Sequence, residues 1–280
     1  MGIVHFLSYR NYEESRVEAN NAMMAMLVGS RLAEHMLGLA SGSEHTLPEI
    51  FPAVKHIGRM NLRVNSARRL LADAESHLSA MAVPYALALH EDYVTTCLKL
   101  LQRAKLINSQ GVKSASPKTM HQKFETAAGY SLSTISVEQF DLLRLLRNAI
   151  IHAGGLPSAD LLTVSRNLSM TSAKNWEDLT GIAPSVLVTP GRPINLNQGE
   201  LVAALAITKS LAEQLNEGLQ RALPREVWAD LLCEDFRTEL SKYTHERQRD
   251  RKLPGYARKN FSVIGFSSDE IKKAAQRAAW

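Results

Sequence analysis

Apolar residues recur along this chain at intervals of three and four, the spacing that gathers them on one side of a helix. No proline interrupts residues 12–40, where Met23, Met26, Leu27, Leu32, Met36 and Leu37 mark a first long helix, ended by Ser41-Gly42-Ser43. That methionine-rich helix is expected to pack on the core. Pro48 and Pro52 bracket a short linker helix. A second long helix is predicted over 59–81, basic at its start. A third is predicted over 84–108, with Pro84 in the first turn and Leu87, Leu89, Val94, Leu98 and Leu101 as its apolar positions. The polar stretch 109–118 reads as a loop, and helices are predicted at 119–128 and 136–153.

Gly154-Gly155 and Pro157 stop the helix at 153, because a helix end favours a positive-φ residue and cannot continue into proline. Residues 160–196 break the pattern. Val186-Leu187-Val188 and Ile194-Asn195-Leu196 flank Thr189-Pro190-Gly191-Arg192-Pro193, so this stretch is predicted to be a small irregular or β-hairpin insertion. Asn197 with Glu200 forms a capping pair for a helix at 198–222, another helix is predicted from 224 to 250, and Ser268-Asp269-Glu270 opens a short last one. The fold class is therefore mainly α. The chain divides into an N-terminal helical extension (1–58), a central helical domain (59–223) and a basic C-terminal helical extension (224–280).

Composition narrows the chemistry. An apolar fraction of 45% and a charged fraction of 22% are ordinary for a chain with a packed core, and the net charge of +5 permits an anionic partner without demanding one. Two cysteines, Cys97 and Cys233, are too few for a disulfide framework, and Cys97 reads as a small core hydrophobe. The N-terminus lacks a secretory signal, and no apolar run approaches the ~18 residues of a membrane span. A soluble, cytoplasmic protein without membrane attachment is expected. The chain has no phosphate-binding glycine loop, no dinucleotide fingerprint, no nucleophile elbow and no His-Glu-x-x-His. No metal site or cofactor is expected. The acidic doublets Glu91-Asp92, Glu234-Asp235 and Asp269-Glu270 read as solvated charge, since helix neighbours point about 100° apart.

One segment carries chemistry. In Glu138–Gly155, Arg144, Arg147 and Asn148 interrupt a broad apolar face, and His152 sits in the last turn before the glycines. A guanidinium in so apolar a helix needs a partner, a water-filled cleft or another subunit. Arg147, Asn148 and, four residues further on, His152 resemble the signature of the HEPN superfamily, small helical domains with an Arg-polar…His motif near a helix end. The resemblance covers about residues 60–222, with the motif itself confined to six of them. The bland alternative is a dipole-stabilised His152 and a structural Arg147.

The resemblance implies a metal-independent endoribonuclease of toxin or anti-phage defence type. Its RNA 2′-hydroxyl would attack the adjacent phosphorus to leave a 2′,3′-cyclic phosphate and a 5′-hydroxyl. The residue chemistry suits that reaction. An imidazole with an ordinary pKa near ~6.5 exchanges protons at neutral pH, a guanidinium forks onto phosphate oxygens, and Asn148 can orient either. Arg147 and His152 lie about 140° apart round a helix, so one copy makes an incomplete site. Members of the superfamily commonly complete such a site by dimerising, so the resemblance implies a homodimer with a composite site and the 136–153 helices at or near the interface, and a regulatory protein partner to restrain it. The alternative is a non-catalytic HEPN-type module that binds RNA, a nucleotide or a protein.

Glu91, Asp92 and Arg144 are supporting candidates, the carboxylates as partners for Arg147. Residues 242–259 interleave cations with aromatics, and Lys242, Tyr243, Arg247, Arg249, Arg251, Lys252 and Tyr256 are RNA-binding candidates for phosphate contact and base stacking. A solvated helix end explains the same composition equally well.

Overall fold

In a computed structural model that describes residues 2–40, 42–241 and 245–278, the periodicity becomes fourteen α-helices and one 3-10 turn. The long ones are α1 (Leu7–Leu39), α4 (Ala74–Arg103), α7 (Thr134–His152) and α11 (Gln198–Ala222). Shorter ones are α2 (Leu47–Ile50), α3 (Val64–Ala72), α5 (Ser109–Lys113), α6 (Met120–Ala128), α8 (Ala159–Asn167), α9 (Met170–Thr180) and α10 (Pro184–Leu187). The series closes with α12 (Arg225–Glu239), α13 (Glu246–Asn260) and α14 (Ser268–Arg277). The fold is mainly α. Among the described residues extended pairing is limited to one isolated bridge, Thr46 with Arg63.

Contacts divide the chain into two compact units. The first comprises 1–16, 87–144 and 206–280, and the second 17–86 and 145–205. Helices α1, α4, α7 and α11 each contribute to both, and neither residue 58 nor residue 223 is a boundary between the units.

The first unit is built round aromatic rings. Tyr12 stacks on Tyr93 at 4.8 Å, and Phe6 meets Trp228 edge-on at 5.7 Å. The N-terminal segment is fastened by a side-chain amide. The Val4 N–H donates to Asn216 Oδ1 at 3.1 Å, and Asn216 Nδ2 donates to the Val4 carbonyl at 2.8 Å. Cys97 and Cys233 are both buried, as small hydrophobes are.

In the second unit Leu37, Val64 and Ala67 form a small core under α2 and α3. The capping pair that opens α11 forms as expected: the Asn197 N–H donates to Glu200 Oε2 at 2.7 Å, and the Gly199 N–H to Asn197 Oδ1 at 2.6 Å. Nearby, the Gln198 N–H donates to Glu75 Oε1 at 3.0 Å, while Arg31 pairs with Glu75 Oε2 at 2.7 Å.

Several expectations require correction. The hairpin alternative for 160–196 is not realised. Ser158 and Ser169 cap α8 and α9 through their hydroxyls, Pro184 starts α10, and the segment after it, through 197, is irregular. The local capping chemistry outweighs the β-branched content of Val186 and Val188. The break expected before Pro84 lies instead at Asp73, and α4 runs through the proline. Ala82, Val83, Ala86 and Leu87 are buried around it, and that packing offsets the ~3 kcal/mol a mid-helix proline costs. Asn108 caps a short helix inside the expected 109–118 loop by accepting the Gly111 N–H at 2.7 Å. The helix expected over 224–250 is two, α12 and α13. The methionines of α1 are divided: Met23 is buried, whereas Met26 and Met36 face outward.

Candidate functional site

The motif occupies the end of α7 that belongs to the second unit. Leu145, Leu146 and Ala149 are buried and seat the helix, leaving Arg147 and Asn148 half-buried and His152 exposed as its last residue. The Arg147 Nε–H points at Asn148 Oδ1 at 3.4 Å, a long contact that holds the two polar heads side by side. The helix stops through the expected glycines. Gly154 and Gly155 take φ of 58° and 84°, and the Gly155 N–H returns to the Ala149 carbonyl at 2.9 Å. The Gly155 carbonyl in turn accepts the Ile194 N–H at 2.9 Å, which ties the irregular 188–197 arm to the end of the motif helix.

Arg147 and His152 stay on one regular helix, separated by ~7.5 Å of rise and about 140° of rotation. They do not converge within one chain. Arg144 is engaged on its own helix, forking onto Asp141 Oδ1 at 2.9 and 2.6 Å. Glu91 and Asp92 belong to the first unit and Arg147 to the second. Asp92 lines a small polar cavity of about 220 Å³ with Ser8, Asn11, Ser15 and Thr96.

Comparison with protein-family models, curated proteins and solved structures finds no match.

The basic segment is partly described. Lys242 and Tyr243 lie outside the described residues. Arg247, Arg251 and Lys252 are exposed in the first turns of α13, and Arg249 is half-buried. Tyr256 is structural: its hydroxyl donates to Glu239 Oε2 and accepts from Arg10 Nη2 at 2.8 Å, and its ring meets Phe236 edge-on at 5.5 Å. Burial, with Glu239 beside it, pushes its phenol well above the usual range. A ring so held is not offered to a base. Among the described residues no helix is long and apolar enough to cross a membrane, and no three His, Cys, Asp or Glu side chains gather as a metal-ligand set.

Two titrating features escaped the sequence reading. His90 and His121 are buried with Nε2 atoms 2.9 Å apart, so one donates and the other accepts. Burial holds His90 well below the ordinary range and brings His121 down to about 4. Both stay neutral at pH 7. Because the folded values are depressed, the stability the pair contributes is present above the unfolded value and lost as pH falls through the folded one. No local pattern links residues 31 positions apart.

Asp235 is the second. Of the doublet Glu234-Asp235, Glu234 is exposed but Asp235 is buried, its Oδ2 accepting the Leu7 N–H at 2.7 Å. A signal was present. Trp228, Leu232 and Phe236 recur at four-residue intervals, and Asp235 falls on that apolar stripe. Burial raises its carboxyl to about 7, against the lowering effects of the Leu7 N–H and Arg10. A carboxyl raised on folding favours the native state at acid pH, and that advantage disappears as pH rises through the folded value. We expect Asp235→Asn to gain on the wild type between pH 5 and pH 8 by about 1–3 kcal/mol, because the amide keeps the acceptor and removes the charge. Denaturant midpoints of both proteins at the two pH values check this. Parallel pH dependences would show that Asp235 ionises normally.

Proposed function

We propose that this chain is a metal-independent endoribonuclease whose acting groups are Arg147 and His152, with Asn148 beside the guanidinium. One observation carries the reading: a half-buried cation with its amide neighbour at 3.4 Å, followed one turn later by an exposed imidazole at a helix end. His152 removes the proton from an RNA 2′-hydroxyl, and Arg147 holds the phosphate oxygens as negative charge grows. The P–O5′ bond breaks as the P–O2′ bond forms, the leaving 5′-oxygen takes a proton from water to give a 5′-hydroxyl, and the other product end is a 2′,3′-cyclic phosphate. The separation of the two side chains on one helix supports a composite site, in which Arg147 of one copy works with His152 of another. The exposed cations of α13 supply sequence-independent contacts to RNA phosphates. An activity of this kind suits a toxin or anti-phage defence role in the cytoplasm under a regulatory protein partner.

A second reading has its own observation. Catalytic imidazoles are held by a third group, whereas among the described residues His152 is hydrogen-bonded to none. This favours a non-catalytic module that binds RNA, a nucleotide or a protein.

The test is incubation of wild type, Arg147→Ala and His152→Ala with mixed single-stranded RNAs in EDTA, reading fragment lengths and end chemistry. Wild type is expected to leave cyclic-phosphate ends. Each substitution is expected to slow cleavage at least ~100-fold while unfolding midpoints stay within about 0.5 kcal/mol for the exposed His152. RNA retention without cleavage by any form would replace the enzyme with the binding module.

A further inference from the structure

The last two helices border a cavity of about 430 Å³, away from the motif helix. Its volume falls within the ~300–1,000 Å³ of sites that hold small molecules. It lies wholly in the first unit, between the second half of α13, the turn at 261–267 and the start of α14. Much of the lining is apolar: Pro254, Ala257, Phe261, Phe266 and Ile271. One charged group stands among them. Of the described residues that line the cavity, Arg258 alone is ionised, and no carboxylate of the described residues pairs with it. Its neighbour Lys259 acts on Glu239 instead.

Residues outside the lining hold the cavity in shape. Arg225 of α12 places Nε 2.6 Å from Glu270 Oε1, and its Nη atoms donate to the carbonyls of Ile264 and Gly265 at 2.8 and 3.0 Å. The same guanidinium lies 5.7 Å from the Phe266 ring centroid. Phe261 is supported in turn by Trp228, edge-on at 6.4 Å. The two phenyl rings are thereby fixed 6.2 Å apart and tilted by 41°, and both border the cavity. A pocket whose walls are set before binding loses little entropy when it fills.

The wall also breaks a local rule. Pro254 and Gly255 stand together inside α13, although both weaken a helix interior. Gly255 is exposed and a Cβ there would meet no atom within 4 Å, so packing does not call for it. Departures of this kind from local preference gather at functional sites. Pro254 is itself part of the lining.

The chemistry of the lining selects the ligand. Two phenyl rings inclined to each other accept a third edge-to-face, which favours an aromatic body over an alkyl chain. One guanidinium matches one carboxylate, and its planar fork suits both oxygens. A phosphate dianion would call for a second cation, and none of the described residues lining the cavity supplies it. Ser262 and Ser268 add hydroxyls for a ring substituent or for the carboxylate itself. We propose that the cavity between α13 and α14 binds a small aromatic carboxylate, its ring against Phe261 and Phe266 and its charge on Arg258.

The inference stands on this cavity and does not depend on ribonuclease activity. Calorimetric titration of the full chain with phenylpropionate and with indoleacetate tests it. Both should bind with dissociation constants of ~millimolar or tighter, as ligands so small do, and should raise the thermal midpoint. Phenylpropionamide keeps the ring and loses the charge, so it should bind at least ~10-fold more weakly. Arg258→Gln should weaken both acids by as much, and because Arg258 is exposed the free protein should keep its unfolding midpoint. Hexanoate should bind more weakly than phenylpropionate, and Phe266→Leu should narrow that preference. Failure of both acids to bind overturns the proposal, as does equal binding of the amide or of hexanoate, or indifference to Arg258→Gln. Adenosine monophosphate that binds more tightly than either acid, and is lost in Arg258→Gln, overturns it in favour of a nucleotide site. The RNA assay on the same samples keeps the two readings apart: cleavage without uptake of the acids sinks only the pocket, and uptake without cleavage sinks only the ribonuclease.

Discussion

Asn216→Leu lowers the free energy of unfolding by about 4 kcal/mol, among the largest losses a single side chain here can cause. The argument is one of orphaned partners. Asn216 is fully buried on α11 and answers both backbone groups of Val4, which is itself fully buried, while Gln220 Nε2 donates to the same Oδ1 at 2.9 Å. Leucine fills the volume but bonds to nothing, leaving a buried N–H and a buried carbonyl unmet at ~1–3 kcal/mol each. Guanidinium unfolding followed by circular dichroism measures it. A loss below about 1 kcal/mol would mean that water reaches Val4 and the clasp is dispensable.

Gly199→Ala is the second. The added methyl would lie 2.5 Å from the carbonyl oxygen of Thr180 and 2.9 Å from its Cα. Both are backbone atoms, so no rotamer change relieves the overlap and the first turn of α11 or the end of α9 must move. That movement also disturbs the Gly199 and Asn197 bonds that open α11. The expected cost is about 3 kcal/mol, well above the ~1 kcal/mol a helix gains from alanine. Hydrogen exchange should show lost amide protection concentrated in 17–86 and 145–205. Loss spread evenly over the chain would contradict so local an origin. Gly29→Ala provides the contrast, an identical chemical change with open space around it.

The helical class was legible because a 3.6-residue period survives any tertiary arrangement, and α11 matches its capping signal at Asn197-Glu200; α14 forms where Ser268-Asp269-Glu270 predicts it but is capped one residue earlier, by Ser267 with Glu270. Helix ends governed by packing were not legible. Pro84 reads as a start in isolation, and only the buried residues on either side of it carry α4 through. The motif helix could be found from its glycines and its interrupted apolar face. The fates of its neighbours could not: Arg144 folds onto Asp141, and Tyr256 is locked between Arg10 and Glu239. The His90–His121 pair and the Val4–Asn216 clasp join residues far apart along the chain, which local pattern does not encode.

The clasp also sets a timetable. Val4 and Asn216 are 212 residues apart, so at synthesis rates of ~5–20 residues per second the N-terminal segment leaves the ribosome roughly 10–40 s before its partner exists. For most of that interval Phe6, Tyr9 and Tyr12 can meet Tyr93 but not the rest of their core, and Phe6 lacks Trp228 throughout it. The second unit, whose last residue is 205, has its whole sequence in hand first. A newly made chain thus passes through a stage in which the motif helix has emerged complete while its aromatic N-terminus still waits, and that stage is when a ribosome-associated chaperone has the most to hold.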